Sequence, residues 1–276
     1  MTRRRAGCNV FAAERFSSEN TLSLHSMIER FPRPIILAHR GDKLHAPENT
    51  LPAFEQAIQK GADGVELDVK LTADGHVVVM HDSAVNRTTD GRGHVAALTL
   101  DAIRRLDAGK WFNEKFSGVK VPLLEEVFET VGRDKLINIE LKNLFTPRDN
   151  LVLKVCDLIK RRNNQDQILF SSFLPSNLKS AAQILPDTPR ALLALPGLAG
   201  AWARSFGFMF GDYQALHLHT SSVSREQIQR AHRVKRRVHV WTVNTPEEIL
   251  RLRHWGADGV ITDDPAMAVR ALGRNG

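Results

Sequence analysis

Between Glu66 and Asp82 the chain reads Glu-Leu-Asp-Val-Lys-Leu-Thr-Ala-Asp-Gly-His-Val-Val-Val-Met-His-Asp. Side chains alternate faces along a strand, so Glu66 and Asp68 share one face. The Asp74-Gly75 pair followed by Val77-Val78-Val79 predicts a hairpin that brings the chain back antiparallel. A four-residue loop over 72–75 sets His81 opposite Glu66, and a two-residue loop sets it opposite Asp68. An odd-length loop turns His81 away. Two carboxylates facing an imidazole could hold a divalent cation and move a proton beside it.

Further chemistry-bearing residues stand at the ends of other apolar runs: His39-Arg40-Gly41, Glu140 with Lys142, Ser171-Ser172-Phe173, His217 and His219, Trp241-Thr242 with Asn244, and Thr262-Asp263-Asp264. If those runs are parallel strands of an α/β barrel, their C-terminal ends converge on one face. Glu66, Asp68 and Glu140 then make an all-oxygen donor set that suits Mg²⁺ or Ca²⁺ better than zinc. The competing reading pairs them with Lys70, Lys142 and Arg40, but three acids in one barrel mouth repel without a cation. His39 and His81 could divide the general base and general acid roles. Arg40, with its planar fork, and Lys142, a compact charge, suit phosphate oxygens. Phe173 and Trp241 offer either an apolar wall for a leaving group or ordinary rim packing. His219 reads as pocket-lining and His217 as core; Trp111 and Phe112 either cap the mouth or fold the segment that holds them.

The elements that must position these groups follow a regular alternation. Strands are expected at Ile35–His39, Gly64–Val69, Leu136–Leu141, Ile168–Ser172, Ala191–Leu195, Ala215–His219, Val238–Val243 and Gly259–Thr262. Helical patterns fall at about 50–60, 122–132, 148–162, 175–184, 198–206, 224–234, 245–254 and 265–272. Caps are expected at Asn49-Thr50 with Pro52, at Ser224 and at Thr245. Eight such units predict an α/β fold, a (β/α)8 TIM barrel spanning 34–276, with a β-hairpin return after strand 2 and a small insertion over 83–121 before helix 2. An open doubly wound sheet is the rival, but no Gly-rich dinucleotide loop follows the first strand. Residues 1–33 read as an extension, irregular or with a short helix at 21–30.

The 276 residues are 42% hydrophobic and 25% charged, enough for one large barrel. The net charge of +7 includes +3 from residues 1–33, and no block of like charge follows. That mild surplus suits an anionic phosphate substrate and excludes an evident nucleic-acid surface. Cys8 and Cys156 have neither disulfide nor metal spacing, and Cys156 sits in an apolar helical pattern. No apolar run is long enough for a membrane span. Arg3-Arg4-Arg5 is not followed by a signal-peptide core, so a cytoplasmic location is expected.

Taken in order, His39-Arg40-Gly41, Pro47-Glu48-Asn49-Thr50, Glu66-Leu67-Asp68-Val69, His81-Asp82, Glu140-Leu141-Lys142 and Trp241-Thr242-Val243-Asn244 resemble the glycerophosphodiester phosphodiesterases over about 34–272. The resemblance implies hydrolysis of a small-molecule glycerophosphodiester to an alcohol and sn-glycerol 3-phosphate. It implies one divalent cation (Mg²⁺ or Ca²⁺, with Mn²⁺ also suited) at Glu66, Asp68 and Glu140. It also implies His39 and His81 as the acid/base pair, with Arg40 and Lys142 near the phosphate. Glu48 would lie near the metal or the glycerol, or serve a helix N-terminus. The expected route is attack by the glycerol 2-hydroxyl to give a cyclic phosphate, with direct attack by water using the same groups. Two rivals are a lysophospholipase D acting on lysophospholipids, for which the apolar 197–212 segment would line an acyl groove or else pack as a barrel helix, and a non-catalytic phosphodiester-binding module. The oligomeric state is not legible.

Overall fold

Eight of the apolar runs become parallel strands that close on themselves. They are β1 (Ile35–His39), β2 (Gly64–Leu71), β4 (Leu136–Leu141), β5 (Ile168–Ser172), β6 (Arg190–Ala194), β7 (Ala215–His219), β8 (Arg237–Trp241) and β9 (Gly259–Thr262). Each pairs with the next, and β9 pairs back to β1, so no edge is left. β3 (Val77–Val79) adds antiparallel to β2 outside the ring. The computed structural model describes residues 30–208 and 211–274; the expected extension and its helix lie outside them, except for Arg30–Arg33. Among the described residues, no helix is long and apolar enough to cross a membrane.

Alternation along the strands separates two cores. Ile36, Ala38, Val65, Leu67, Val69, Ile137, Ile139 and Leu141 face outward against the helices. These helices are α1 (Leu51–Gln59), α3 (Leu124–Val131), α4 (Leu151–Arg162), α5 (Pro175–Ile184), α6 (Arg225–Arg233), α7 (Pro246–Trp255) and α8 (Pro265–Ala271), with α2 (Leu100–Arg105) in the insertion. Cys156 is buried among the same side chains. Ile35, Leu37, Leu136 and Ile261 fill the barrel interior. Each such burial is worth about 1.5–3 kcal/mol, which holds the strand ends in fixed relation.

Ser224 and Thr245 cap α6 and α7 as expected, accepting from the backbone of Gln227 and Glu248. Thr50 does not cap α1; its hydroxyl donates to the Pro47 carbonyl at 2.6 Å. The helix expected at 198–206 is instead a 3₁₀ turn, Leu198–Gly200, followed by a π-helical stretch, Ala203–Gly207. Glycines at 197, 200 and 207 weaken the regular ladder there. The insertion folds on its own small cluster of Val78, Met80, Val85, Val95, Ile103, Ala108 and Val121. Phe112 packs with Phe116 against Ala46 and Ala53, and the Trp111 indole donates to the Ala108 carbonyl. Both aromatics therefore fold the insertion and do not cap the mouth.

Candidate active site

The acids come first, because their strands set everything else. Glu66 and Asp68 lie inward on β2, and the parallel β2–β4 register aligns Asp68 with Glu140. One donor oxygen from each of Glu66, Asp68 and Glu140 lies within 4.8 Å of the others, and all three residues are buried. Burial and the Asp68 and Glu140 charges push the Glu66 carboxyl well above its usual range. Burial and Asp68 push Glu140 up to about 7. Burial also opposes the Asp68 charge, but Lys142 and Arg40 overcome it and hold this carboxylate ionised. A compact, buried, all-oxygen set whose members resist full ionisation fits a divalent cation, which would remove that repulsion.

Basic groups interleave with the acids. The Lys142 ammonium sits 3.2 Å from Glu140 and 3.3 Å from Asp68. Arg40 lies 3.3 Å from Asp68 through Nε and 2.8 Å from Glu48 through its terminal nitrogen. Glu48, itself buried, also accepts from Arg87 at 2.7 and 3.0 Å. Its role is thus tied to two arginines, and it is not one of the three clustered acids. The turn that presents these groups is unusual: Arg40 and Asn49 both have φ of +57° and Gly41 has φ of +84°. A Cβ on Gly41 would meet the Ala53 carbonyl carbon at 2.6 Å, so only glycine fits. The Asn49 amide donates to Asp68 at 2.9 Å, orienting that carboxylate.

Each histidine is backed by its own carboxylate. His39 Nδ1 is 2.6 Å from Asp263, and His81 Nδ1 is 2.6 Å from Asp82. An ionised carboxylate only accepts, so Nδ1 carries the proton in both rings and Nε2 is left as the basic nitrogen. Burial holds both imidazoles below their ordinary range despite these partners. Asp263 is fixed in turn by Asn244 at 2.9 Å, and Asp82 by Arg87 at 2.6 Å.

His81 arrives by a route the alternation rule does not provide. The ladder pairs Val69 with Val79 and Leu71 with Val77, and Thr72 N–H donates to His76, so the loop has odd length. Continued, that register would set His81 opposite Leu67, facing outward. The strand ends at Val79 and the chain bends at His81, which returns the imidazole to the mouth.

His39, Arg40, Glu66, His81, Glu140 and Lys142 all line one cavity of about 180 Å³. Phe173 and Trp241 form part of its wall, with ring centroids 6.0 Å apart. His219 does not line it; that ring backs Trp241 edge-on at 4.9 Å and hydrogen-bonds Ser221. His217 is fully buried at the inner end, 3.0 Å from His239, and burial keeps both neutral. Asp82, Asp263 and Arg87 are site residues that sequence reasoning left without a role, and Asn49 is read there only as part of a helix cap. The His81-Asp82 dipeptide and the strand-end position of Asp263 were the available signals.

Comparison with known proteins identifies the family. Residues 39–267 match the model of the Glycerophosphoryl diester phosphodiesterase family. A glycerophosphodiester phosphodiesterase of Caldanaerobacter subterraneus subsp. tengcongensis is 38% identical over 245 residues, 88% of this chain and 100% of the relative. One from Bacillus altitudinis is 36% identical over 85% of this chain and 96% of its own length. Among solved structures, an Oleispira antarctica phosphodiesterase in complex with the product sn-glycerol-3-phosphate superposes with a TM-score of 0.81. It is 30% identical, covering 90% of this chain and 99% of that one. With this likeness over nearly its whole barrel, the chain belongs to the glycerophosphoryl diester phosphodiesterase family.

Proposed function

We propose that this protein is a metal-dependent glycerophosphodiester phosphodiesterase that releases an alcohol and sn-glycerol 3-phosphate. The observation that carries this reading is the convergence of a three-carboxylate cluster and two carboxylate-backed histidines on one cavity. The relatives' names and the product held by the Oleispira antarctica structure support it.

Glu66, Asp68 and Glu140 would hold one Mg²⁺, Ca²⁺ or Mn²⁺ ion, which when bound supplies positive charge and Lewis acidity beside the phosphate. Arg40 and Lys142 add two fixed positive charges where negative charge grows on the phosphoryl oxygens. One histidine, neutral through burial, takes a proton at Nε2 from the attacking oxygen. The other, charged once an anionic phosphate lies beside it, gives a proton to the departing alcohol. Asp263 and Asp82 hold the two rings in the productive tautomer. Phe173 and Trp241 exclude water from one side, and Glu48 keeps Arg40 in place through its 2.8 Å contact. The test is release of glycerol 3-phosphate from glycerophosphocholine by the purified protein. Activity should require an added divalent cation and fall at least on the order of 10²-fold in His39→Ala and His81→Ala. Full turnover in chelator, or in either variant with cation present, would refute the assignment.

A further inference from the structure

Beside the catalytic cavity lies a larger cleft of about 670 Å³ that the reaction above does not use. The two share His81, Glu140, Lys142, Phe173 and Leu193, so the cleft is continuous with the site. At that shared end it is polar. Further out its walls are Leu141, Leu195, Phe145, Ala199 and Trp202, drawn from β4, the segment after it, and the irregular crossover between β6 and β7. Ten large apolar side chains are exposed among the described residues, and four of them (Leu144, Phe145, Leu195 and Trp202) line this one cleft. A monomer surface seldom gathers its apolar exposure in that way without a ligand. The regular helix expected over this segment is replaced by 3₁₀ and π turns, and Leu198 is left 95% exposed.

Resting on the phosphodiesterase reading, we infer that this cleft binds a single aliphatic chain carried by the substrate. Charge favours this occupant over a cationic head group. The two acids in the lining, Asp82 and Glu140, are already paired, with His81 and Arg87 and with Lys142 respectively. Among the described residues no uncommitted carboxylate lines the cleft for a quaternary ammonium, while Lys142 lies at the end shared with the catalytic cavity and Lys70 beside it. The shape is that of an amphiphile, with a phosphodiester at the polar end and hydrocarbon along the apolar wall. The reaction stays the same: the P–O bond to the alcohol breaks, an oxygen from water ends on phosphorus, and a water proton ends on the alcohol.

The chain could hang from the leaving alcohol or from the glycerol, and two substrate series separate these. The first is glycerol phosphodiesters of n-alkanols from methyl to octyl, kept below their micellar concentrations. The second compares lysophosphatidylcholine with glycerophosphocholine. A half-buried methylene should raise kcat/KM about twofold, so octyl should exceed methyl on the order of 10²-fold. A rise in the first series places the chain on the alcohol, and a preference for the lysolipid places it on the glycerol. Leu195→Asp and Ala199→Asp, both at exposed positions, should lower the long-to-short ratio at least about tenfold. That ratio is insensitive to the fraction of protein folded. A flat profile in both series with glycerophosphocholine still cleaved, or a preference for choline over its neutral 3,3-dimethylbutyl isostere, overturns the inference alone. Failure to cleave any of these substrates with cation present overturns the phosphodiesterase reading beneath it.

Discussion

Removing one charge from the carboxylate cluster should stabilise the cation-free protein while abolishing its response to cation. Glu140 is buried within 4.8 Å of its two acidic neighbours, and burial with Asp68 raises its pKa from 4.5 to about 7. Below pH 4.5 the folded and unfolded chains both hold this proton, and the group makes no difference. Between 4.5 and about 7 only the folded chain holds it, so stability falls with rising pH by about 1.4 kcal/mol per unit. Above that range the full cost, about 3 kcal/mol, is present. Glu140→Gln is neutral throughout and escapes it. Lys142 loses its 3.2 Å partner in the variant but keeps Asp68 at 3.3 Å; its attraction for Glu140 is already contained in the raised pKa, so the expected gain stays at about 3 kcal/mol. Urea unfolding in chelator should therefore show the variant more stable than wild type near pH 8 and equal to it near pH 4.5. Millimolar Mg²⁺ or Ca²⁺ should stabilise only the wild type, by about 2–3 kcal/mol at a hundredfold excess over Kd. A variant less stable than wild type in chelator at pH 8 would refute the reasoning, because Glu140 would then be a salt-bridge partner of Lys142 and not a strained ligand.

Asp263→Asn should lower kcat on the order of 10³-fold with little loss of stability, since the amide can donate to His39 Nδ1 and favour the wrong tautomer; circular dichroism with steady-state rates would check both. At saturating cation, the acid limb of the kcat/KM profile should lie below about pH 6.5, because burial holds the base imidazole under that value and the base must be unprotonated. A pH–rate profile with an acid limb centred above 6.5 would contradict this. Gly41→Ala should cost about 3 kcal/mol or more, from the clash with Ala53 and the left-handed backbone, and should be read by thermal unfolding. Single-turnover mixtures should contain a transient cyclic glycerol phosphate if the glycerol 2-hydroxyl attacks, whereas its absence at adequate time resolution favours direct attack by water.

Much of the barrel was legible in the chain. Five of the eight barrel strands run between the expected residues, and β2 is longer only because Lys70 and Leu71 pair with β3. The crossover between β6 and β7 departs from expectation because its apolar content suggests a helix that its glycines do not sustain. The hairpin shows the limit of local rules most clearly. Parity correctly put Glu66 and Asp68 on one face, yet the loop has odd length and His81 reaches the site through a bend that ends the ladder.

Sequence alone determined which residue types stand at the strand ends and which neighbours within a strand share a face, because both depend only on the chain's own alternation. Tertiary structure decided which strand ends meet. The β2–β4 register sets Glu140 beside Asp68, and closure of β9 onto β1 carries Asp263 to His39 across 224 residues of sequence. Folding of the insertion brings Arg87 to both Glu48 and Asp82. Those distances follow from how the whole barrel packs and closes, and no period within a single strand encodes them.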